Sequence, residues 1–334
     1  MMMKLQPYGA RQTQTLAAMY DTINFSYARQ VGDTDLPRAV LPRLQDVSEH
    51  TYQNGRTRWT GRLANYNVSV TPLSVKVSHG SLSRFYAGSN NCVLTPSTTR
   101  DAIAHLSDSL GLDMSAASVT AMHTACNMQM DYPPATYFPL LGSMEGADRN
   151  THKGTLYYND TAGARAVVFY DKTREMQAHG QPSAFPSDQL ANLLRMETRY
   201  NNTAAVQTAL QASPVTGATL YDDAAYKQAV KAWRDSICAI RMSGLSVVSL
   251  LATSTDQTDL LLTAFGAVLQ VQGVDTFKGI VKSAASGGNT QARQRASRFC
   301  KLADKAAKAF NALPADARAK ELLTKIAQAA APHL

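Results

Sequence analysis

Tyr170 closes the apolar run Ala166-Val167-Val168-Phe169-Tyr170 and is followed at once by Asp171-Lys172-Thr173-Arg174-Glu175. A phenol at the point where a strand gives way to an exposed polar segment can serve as a nucleophile toward a large anionic substrate. With an ordinary pKa of ~10, such a hydroxyl needs help to ionise near neutral pH. His123 is a second candidate, on a stretch whose period of two puts it on one face with Ala121, Ala125, Asn127 and Gln129. The small neighbours leave room over it. Glu197, between Arg195 and Arg199, can be the ion-pair partner of those arginines. The plain alternatives are a strand-ending aromatic at 170, a structural histidine at 123 and a surface lysine at 172.

These groups need strands to hold them. Gly154 to Met176 reads as a β-hairpin, two runs rich in β-branched and aromatic residues around Asn159-Asp160-Thr161-Ala162-Gly163-Ala164. Ser118 to Met130 alternates as a strand, with Met122, Thr124, Cys126 and Met128 on the face opposite His123. Within Gln189 to Tyr200, Arg195, Glu197 and Arg199 share one face, and three charges in a row are expected to stay out of the core. Upstream, Asp21 to Tyr27 can form a first strand, and Leu36 to Val47 a short helix behind Asp35 or Pro37. Val68, Val70, Val75 and Val77 mark two short strands broken at Thr71-Pro72. Thr98 to Leu112 has helical spacing, whereas 78–91 is rich in turn residues and 131–150 reads as loop and short helix. After a linker at 201–221 the pattern turns helical: Ala225 to Arg241, Thr255 to Val271, Gln291 to Asn311 and Ala315 to Ala331. The expected class is α+β, a central antiparallel sheet with flanking helices followed by a helical C-terminal region, divided at 1–215 and 216–334.

The chain has 334 residues, a net charge of +8 and a pI near 9.3, which points to an anionic partner such as nucleic acid. Residues 274 to 334 hold eleven Lys and Arg against four acids, so nearly all the excess is C-terminal. On the last long helix Phe299, Leu302, Ala303, Ala306 and Phe310 form an apolar stripe, with Arg295, Arg298, Lys301, Lys305 and Lys308 opposite it. That basic face suits a duplex backbone, which it would position without reading sequence. Cys92, Cys126, Cys238 and Cys300 lack any Cys-x-x-Cys spacing and read as free thiols of a reducing compartment. The N-terminus has no apolar signal core, and Leu245 to Ala252 and Leu260 to Val271 are too short or interrupted to span a bilayer. The expected location is the cytoplasm. A helicase motor is unsupported without a Gly-x-x-x-x-Gly-Lys-Ser/Thr loop, and no His-x-x-Arg pattern suggests a tyrosine recombinase.

Four blocks in order resemble the gene II-type replication initiators of filamentous phages and, more loosely, rolling-circle replication proteins. They are Ser83-Arg84-Phe85-Tyr86-Ala87-Gly88-Ser89-Asn90; the strand ending Val119-Thr120-Ala121-Met122-His123; Val168-Phe169-Tyr170-Asp171-Lys172 with Glu175; and Leu194-Arg195-Met196-Glu197-Thr198-Arg199. A fainter likeness continues at Ala296-Ser297-Arg298-Phe299. The resemblance implies a site-specific single-strand endonuclease and ligase of a bacterial host's cytoplasm, acting with host helicase and polymerase at a replication origin. Tyr170 would become linked to the 5′ phosphate, with Lys172 as a cation for the phenolate or phosphate. It further implies a divalent metal, Mg²⁺ or Mn²⁺, with His123, Glu197 and Glu175 as ligands, and DNA contacts from Arg84, Arg195 and Arg199. Ala121 and His123 stand where these relatives more often carry the Arg and Asp of an Arg-x-Asp pattern. That departure motivates the alternative of a non-catalytic origin-binding protein; a relaxase or strand transferase of a mobile element, with the same chemistry on different DNA, is a near neighbour. Tyr157, Tyr158 and Tyr200 are second tyrosine candidates, and the oligomeric state is open.

Overall fold

Alternation of apolar and polar side chains gives the central strands of this chain a choice of face before they have partners, and a single sheet satisfies that choice. The computed structural model describes residues 18–32, 35–90, 92–178, 191–242, 257–311 and 317–331. Its strands are β1 (Met19–Ala28), β2 (Gln45–Thr51), β3 (Thr57–Leu63), β4 (Tyr66–Val70), β5 (Ser74–Ser78), β6 (Ser118–Gln129), β7 (Leu141–Met144), β8 (Ala147–His152), β9 (Thr155–Asp160), β10 (Arg165–Asp171), β11 (Leu193–Tyr200) and β12 (Ile240–Met242). All pair antiparallel, in the order β12-β7-β8-β9-β10-β11-β6-β1-β5-β4-β3-β2. The helices are α1 (Leu36–Val40), α2 (Leu82–Ala87), α3 (Pro96–Leu110), α4 (Lys172–Ala178), α5 (Thr203–Leu210), α6 (Asp223–Cys238), α7 (Gln257–Gln272), α8 (Val274–Ser286), α9 (Thr290–Asn311) and α10 (Ala317–Ala330). The expected α+β class, with its antiparallel sheet and C-terminal helices, is what the chain adopts.

One sheet face makes the core. Ile23, Phe25, Val68, Val77, Met122, Cys126, Phe169 and Met196 are all buried there. Local signals end the helices that cover it: α3 carries a reciprocal capping box between Thr95 and Thr98 and stops at Gly111, whose φ of 68° suits a residue without a Cβ. Asp222 caps α6 by accepting from the Ala225 amide. From α6 the fully buried Trp233 donates its indole N–H to the Met196 carbonyl at 3.2 Å, and the Tyr226 hydroxyl bonds the carbonyls of Ala18 and Leu94.

Several expectations need correction. The supposed linker 201–221 contains α5, capped by Asn202, whose Val206 and Leu210 enter the core. Residues 131–150 are not merely loop but supply β7 and most of β8, and β2 with β3 fills a stretch that lacked a clear pattern. The main core also takes in Trp233 and Ile237 of α6 and Leu322, Ile326 and Ala329 of α10. A separate small cluster joins Leu269 of α7 to Ala303 and Ala306 of α9, with Phe265 and Phe277 packed against it. Along α9 the buried side is Ala296, Cys300, Ala303 and Ala306, while Phe299 and Leu302 of the expected apolar stripe are exposed. The side chain of Phe310, the N-terminal stretch and Leu245 to Ala252 lie outside what is described. Among the described residues the cysteines are free, and no helix is long and apolar enough to cross a membrane.

Candidate active site

The second sheet face carries charge. Antiparallel register places Asn127 opposite Arg195 and Arg195 opposite Tyr170, then Ala125 opposite Glu197 and Glu197 opposite Val168, then His123 opposite Arg199. Partners across a ladder point the same way, so His123, Glu197 and Tyr170 share this face as their spacing predicts. Tyr157, opposite Val168, joins them. Tyr158 and Tyr200 lie buried, and the Tyr158 hydroxyl is bound to the carbonyls of Leu141 and Gly142.

Glu197 is the hub. Its Oε1 lies 2.8 Å from His123 Nδ1 and 3.0 Å from Arg199 Nε, and its Oε2 faces Arg195 Nε at 3.7 Å and accepts a long hydrogen bond from the Tyr170 hydroxyl at 3.5 Å. Burial opposes the charge on Glu197, but the His123 hydrogen bond and the Arg199 and Arg195 guanidinium groups outweigh it and hold the carboxyl well below the usual range. Arg195 is fully buried. Its Nη2 stands 2.6 Å from Asp21, and its Nη1 donates to Asn127 Oδ1 at 3.2 Å and to the Asn90 carbonyl at 3.4 Å. The rule that three charges on a sheet face avoid the core therefore fails at Arg195 and Glu197, because each brings its counter-charge with it. Arg195 is thus internal to the protein, and Arg199, one-third exposed, is the arginine of this pair that an outside phosphate can meet.

Lys172 opens α4, directly after β10. It too is fully buried, with its Nζ 2.6 Å from Glu175 and 3.1 Å from Asn90 Oδ1. Burial and the Arg195 charge lower its pKa, and Glu175 works against them. Tyr170 is half-buried rather than exposed. Burial raises its pKa, Arg195 lowers it, and Glu197, Asp21 and Glu175 push it further up. The phenol is thus held protonated at rest.

Among the described residues no three His, Cys, Asp or Glu side chains gather closely enough to hold a metal ion. The three ligands expected for Mg²⁺ or Mn²⁺ are divided instead: His123 and Glu197 adjoin, with two arginines on the same carboxylate, while Glu175 is committed to Lys172. This donor set does not fit a three-ligand metal centre. Arg84 is exposed on α2, and Arg295, Arg298, Lys301, Lys305 and Lys308 are exposed along α9. Three residues of the network were not singled out from the sequence. Asp21 signals itself only as a carboxylate inside an apolar strand, Asn127 by sharing His123's face, and Asn90 by closing the block that begins at Ser83.

No curated protein matches the chain. A family model described as the N-terminal part of a replication-associated protein, the gene II type of filamentous phages, matches residues 31–218, which hold β2 to β11 together with Tyr170, His123, Glu197 and Lys172. That match spans more than half of the 334 residues, and the chain belongs to the family of gene II-type replication-associated proteins.

Proposed function

We propose that this replication-associated protein nicks one DNA strand at a replication origin through Tyr170 and later recloses it. The observation that carries the reading is a phenol at the end of a central strand, in contact with a buried carboxylate that three cationic or proton-donating side chains surround. The Tyr170 oxygen attacks phosphorus as its proton passes to water, and the bond from phosphorus to the 3′ oxygen breaks. That oxygen takes up a proton, leaving a 3′ hydroxyl for a host polymerase and a tyrosine 5′-phosphate ester. The ester keeps the bond energy, so attack by a 3′ hydroxyl on it reseals the strand.

Arg195 supports the phenolate electrostatically, and Asp21 and Asn127 keep its guanidinium in place. Arg199 and His123, the more exposed members, face an incoming phosphate. Lys172, with its lowered pKa and its tie to Asn90, is a proton donor for the leaving oxygen. Glu197 orients these groups; the cations that surround it make it a weak base.

The test is incubation of the purified chain with labelled single-stranded DNA carrying its replicon's own origin, in Mg²⁺, in Mn²⁺ and in EDTA. A covalent adduct on the peptide containing Tyr170 supports the reading, and the three arms read the metal requirement. One observation favours a second reading. Tyr170 is held protonated at rest, and Ala121 with His123 departs from the pattern of relatives, as in an origin-binding protein without cleavage. Binding without adduct in all three arms would favour that alternative. A relaxase or strand transferase would perform the same chemistry on other DNA.

A further inference from the structure

We infer that the outer half of the same sheet face, β5 through β2, is a docking surface for duplex DNA flanking the nick, with Arg58, Arg62 and Lys76 as its phosphate contacts. Register carries this. Asn24 pairs with Ala121, which alternates with His123; Ser26 pairs with Lys76, Lys76 with Ser69, and Ser69 with Thr60. Cross-strand partners share a face, so the row from Ser26 to Thr60 lies on the side that carries His123 and Tyr170. Arg58 and Arg62 alternate with Thr60 on β3 and join that face. The Arg58 Nε donates to Ser69 Oγ at 2.7 Å, as a shared side requires.

The opposite face of these strands is core, through Val68, Val70, Val75 and Val77. On the polar side Arg58, Thr60, Arg62, Asn67 and Lys76 are exposed, and none of the three cations makes an ion pair among the described residues. Glu49 of β2 faces away and accepts from the Trp59 indole at 2.9 Å; Asp46, in the irregular start of β2, is the nearby acid. This is a polar, cationic sheet surface continuous with the candidate active site.

Spacing argues for duplex. Four residues along a strand place Arg58 and Arg62 about 13 Å apart, close to the ~12 Å between backbones across a major groove. From β10, which carries Tyr170, to β3 are six steps in the sheet order, or about 29 Å at ~4.8 Å each. At ~3.4 Å per base pair that is about eight or nine base pairs from the nick. The proposal rests on the DNA-acting reading above, and needs no chemistry at Tyr170.

The experiment is anisotropy of the full-length chain with a labelled 30-base-pair duplex and a labelled 30-nucleotide single strand of unrelated sequence, over a salt series. Combining Arg58→Ala, Arg62→Ala and Lys76→Ala should lower the duplex log K against log salt slope by about 2.7, three contacts at ~0.9 each. Single-strand binding should change less than about twofold, and a variant with Arg58→Lys, Arg62→Lys and Lys76→Arg should keep the full slope. An unchanged duplex slope overturns the proposal, and so does an equal loss on single strands, which would mark the face as a single-strand track. A chain that binds with full slope yet forms no adduct sinks the nicking reading alone.

Discussion

Replacing Arg195 by methionine removes the cation that joins Asp21 to Glu197, and the consequence follows from burial. Asp21 is 6 % exposed and Glu197 3 %, and the guanidinium between them is completely enclosed. With Arg195 gone, Glu197 keeps His123 and Arg199, but Asp21 retains no cation among the ion pairs of the described residues, and its Oδ1 already has no hydrogen bond. Breaking a buried pair by removing one partner costs about 3–5 kcal/mol, because an uncompensated charge stays behind. Asp21→Asn should cost less, since a neutral amide replaces the carboxylate. The double variant, Asp21→Asn with Arg195→Met, should be more stable than the sum of the single losses predicts, by about 2 kcal/mol within the usual range for coupled neighbours. Urea unfolding followed by far-UV circular dichroism measures all four corners of the cycle. A loss below about 1 kcal/mol for Arg195→Met, the ordinary value for an exposed pair, or strict additivity in the cycle, would refute the claim that this triad is a buried unit.

Tyr170→Phe should change stability by less than about 1 kcal/mol, because among the described residues the hydrogen bond lost is the 3.5 Å contact to Glu197, and chemical unfolding checks this. Glu197 has a depressed folded pKa, so its contribution is present above the unfolded value of ~4.3 and is lost as pH falls below it. Urea midpoints should accordingly drop between about pH 5 and pH 3, and Glu197→Gln should flatten that fall. The raised Tyr170 pKa makes adduct formation accelerate as pH rises from 6 to 9, about tenfold per unit if phenolate is the nucleophile; a flat pH profile would contradict phenolate attack. Truncation after residue 215 should leave an unfolded or aggregated chain, because Trp233 and Tyr226 of α6 belong to the sheet's own core, and Trp233→Ala in the full chain should cost about 3–5 kcal/mol by thermal or urea unfolding.

Much of this site was legible because strands repeat every two residues. Alternation alone places His123 with Asn127, Glu197 with Arg195 and Arg199, and Tyr170 at a strand's end, and the ladder brings them onto one face. What local pattern could not give was depth. Arg195 and Lys172 would be surface residues by composition, and they are buried because Asp21 and Asn90 reach them from distant parts of the chain. Strand β2 is exposed at every position and β8 at nearly every one, so neither shows the alternation that reveals a half-buried strand. On α9 the buried contacts are small, Ala296, Cys300 and Ala303, whereas Phe299, the residue with the strongest apolar signal there, faces out. Small side chains let helices approach closely, and hydrophobicity by itself says nothing of that distance. The carboxylates of the expected metal trio likewise carry partners that spacing did not show, Glu197 against Arg195 and Arg199 and Glu175 against Lys172.

The central claim is covalent initiation at Tyr170. Its most direct measurement is peptide mass mapping of the chain after reaction with origin-bearing single-stranded DNA, resolved on a denaturing gel. The account predicts a nucleotide mass on the peptide containing Tyr170 and none in Tyr170→Phe. An adduct on Tyr157 instead, or cleavage that persists undiminished in Tyr170→Phe, would contradict it.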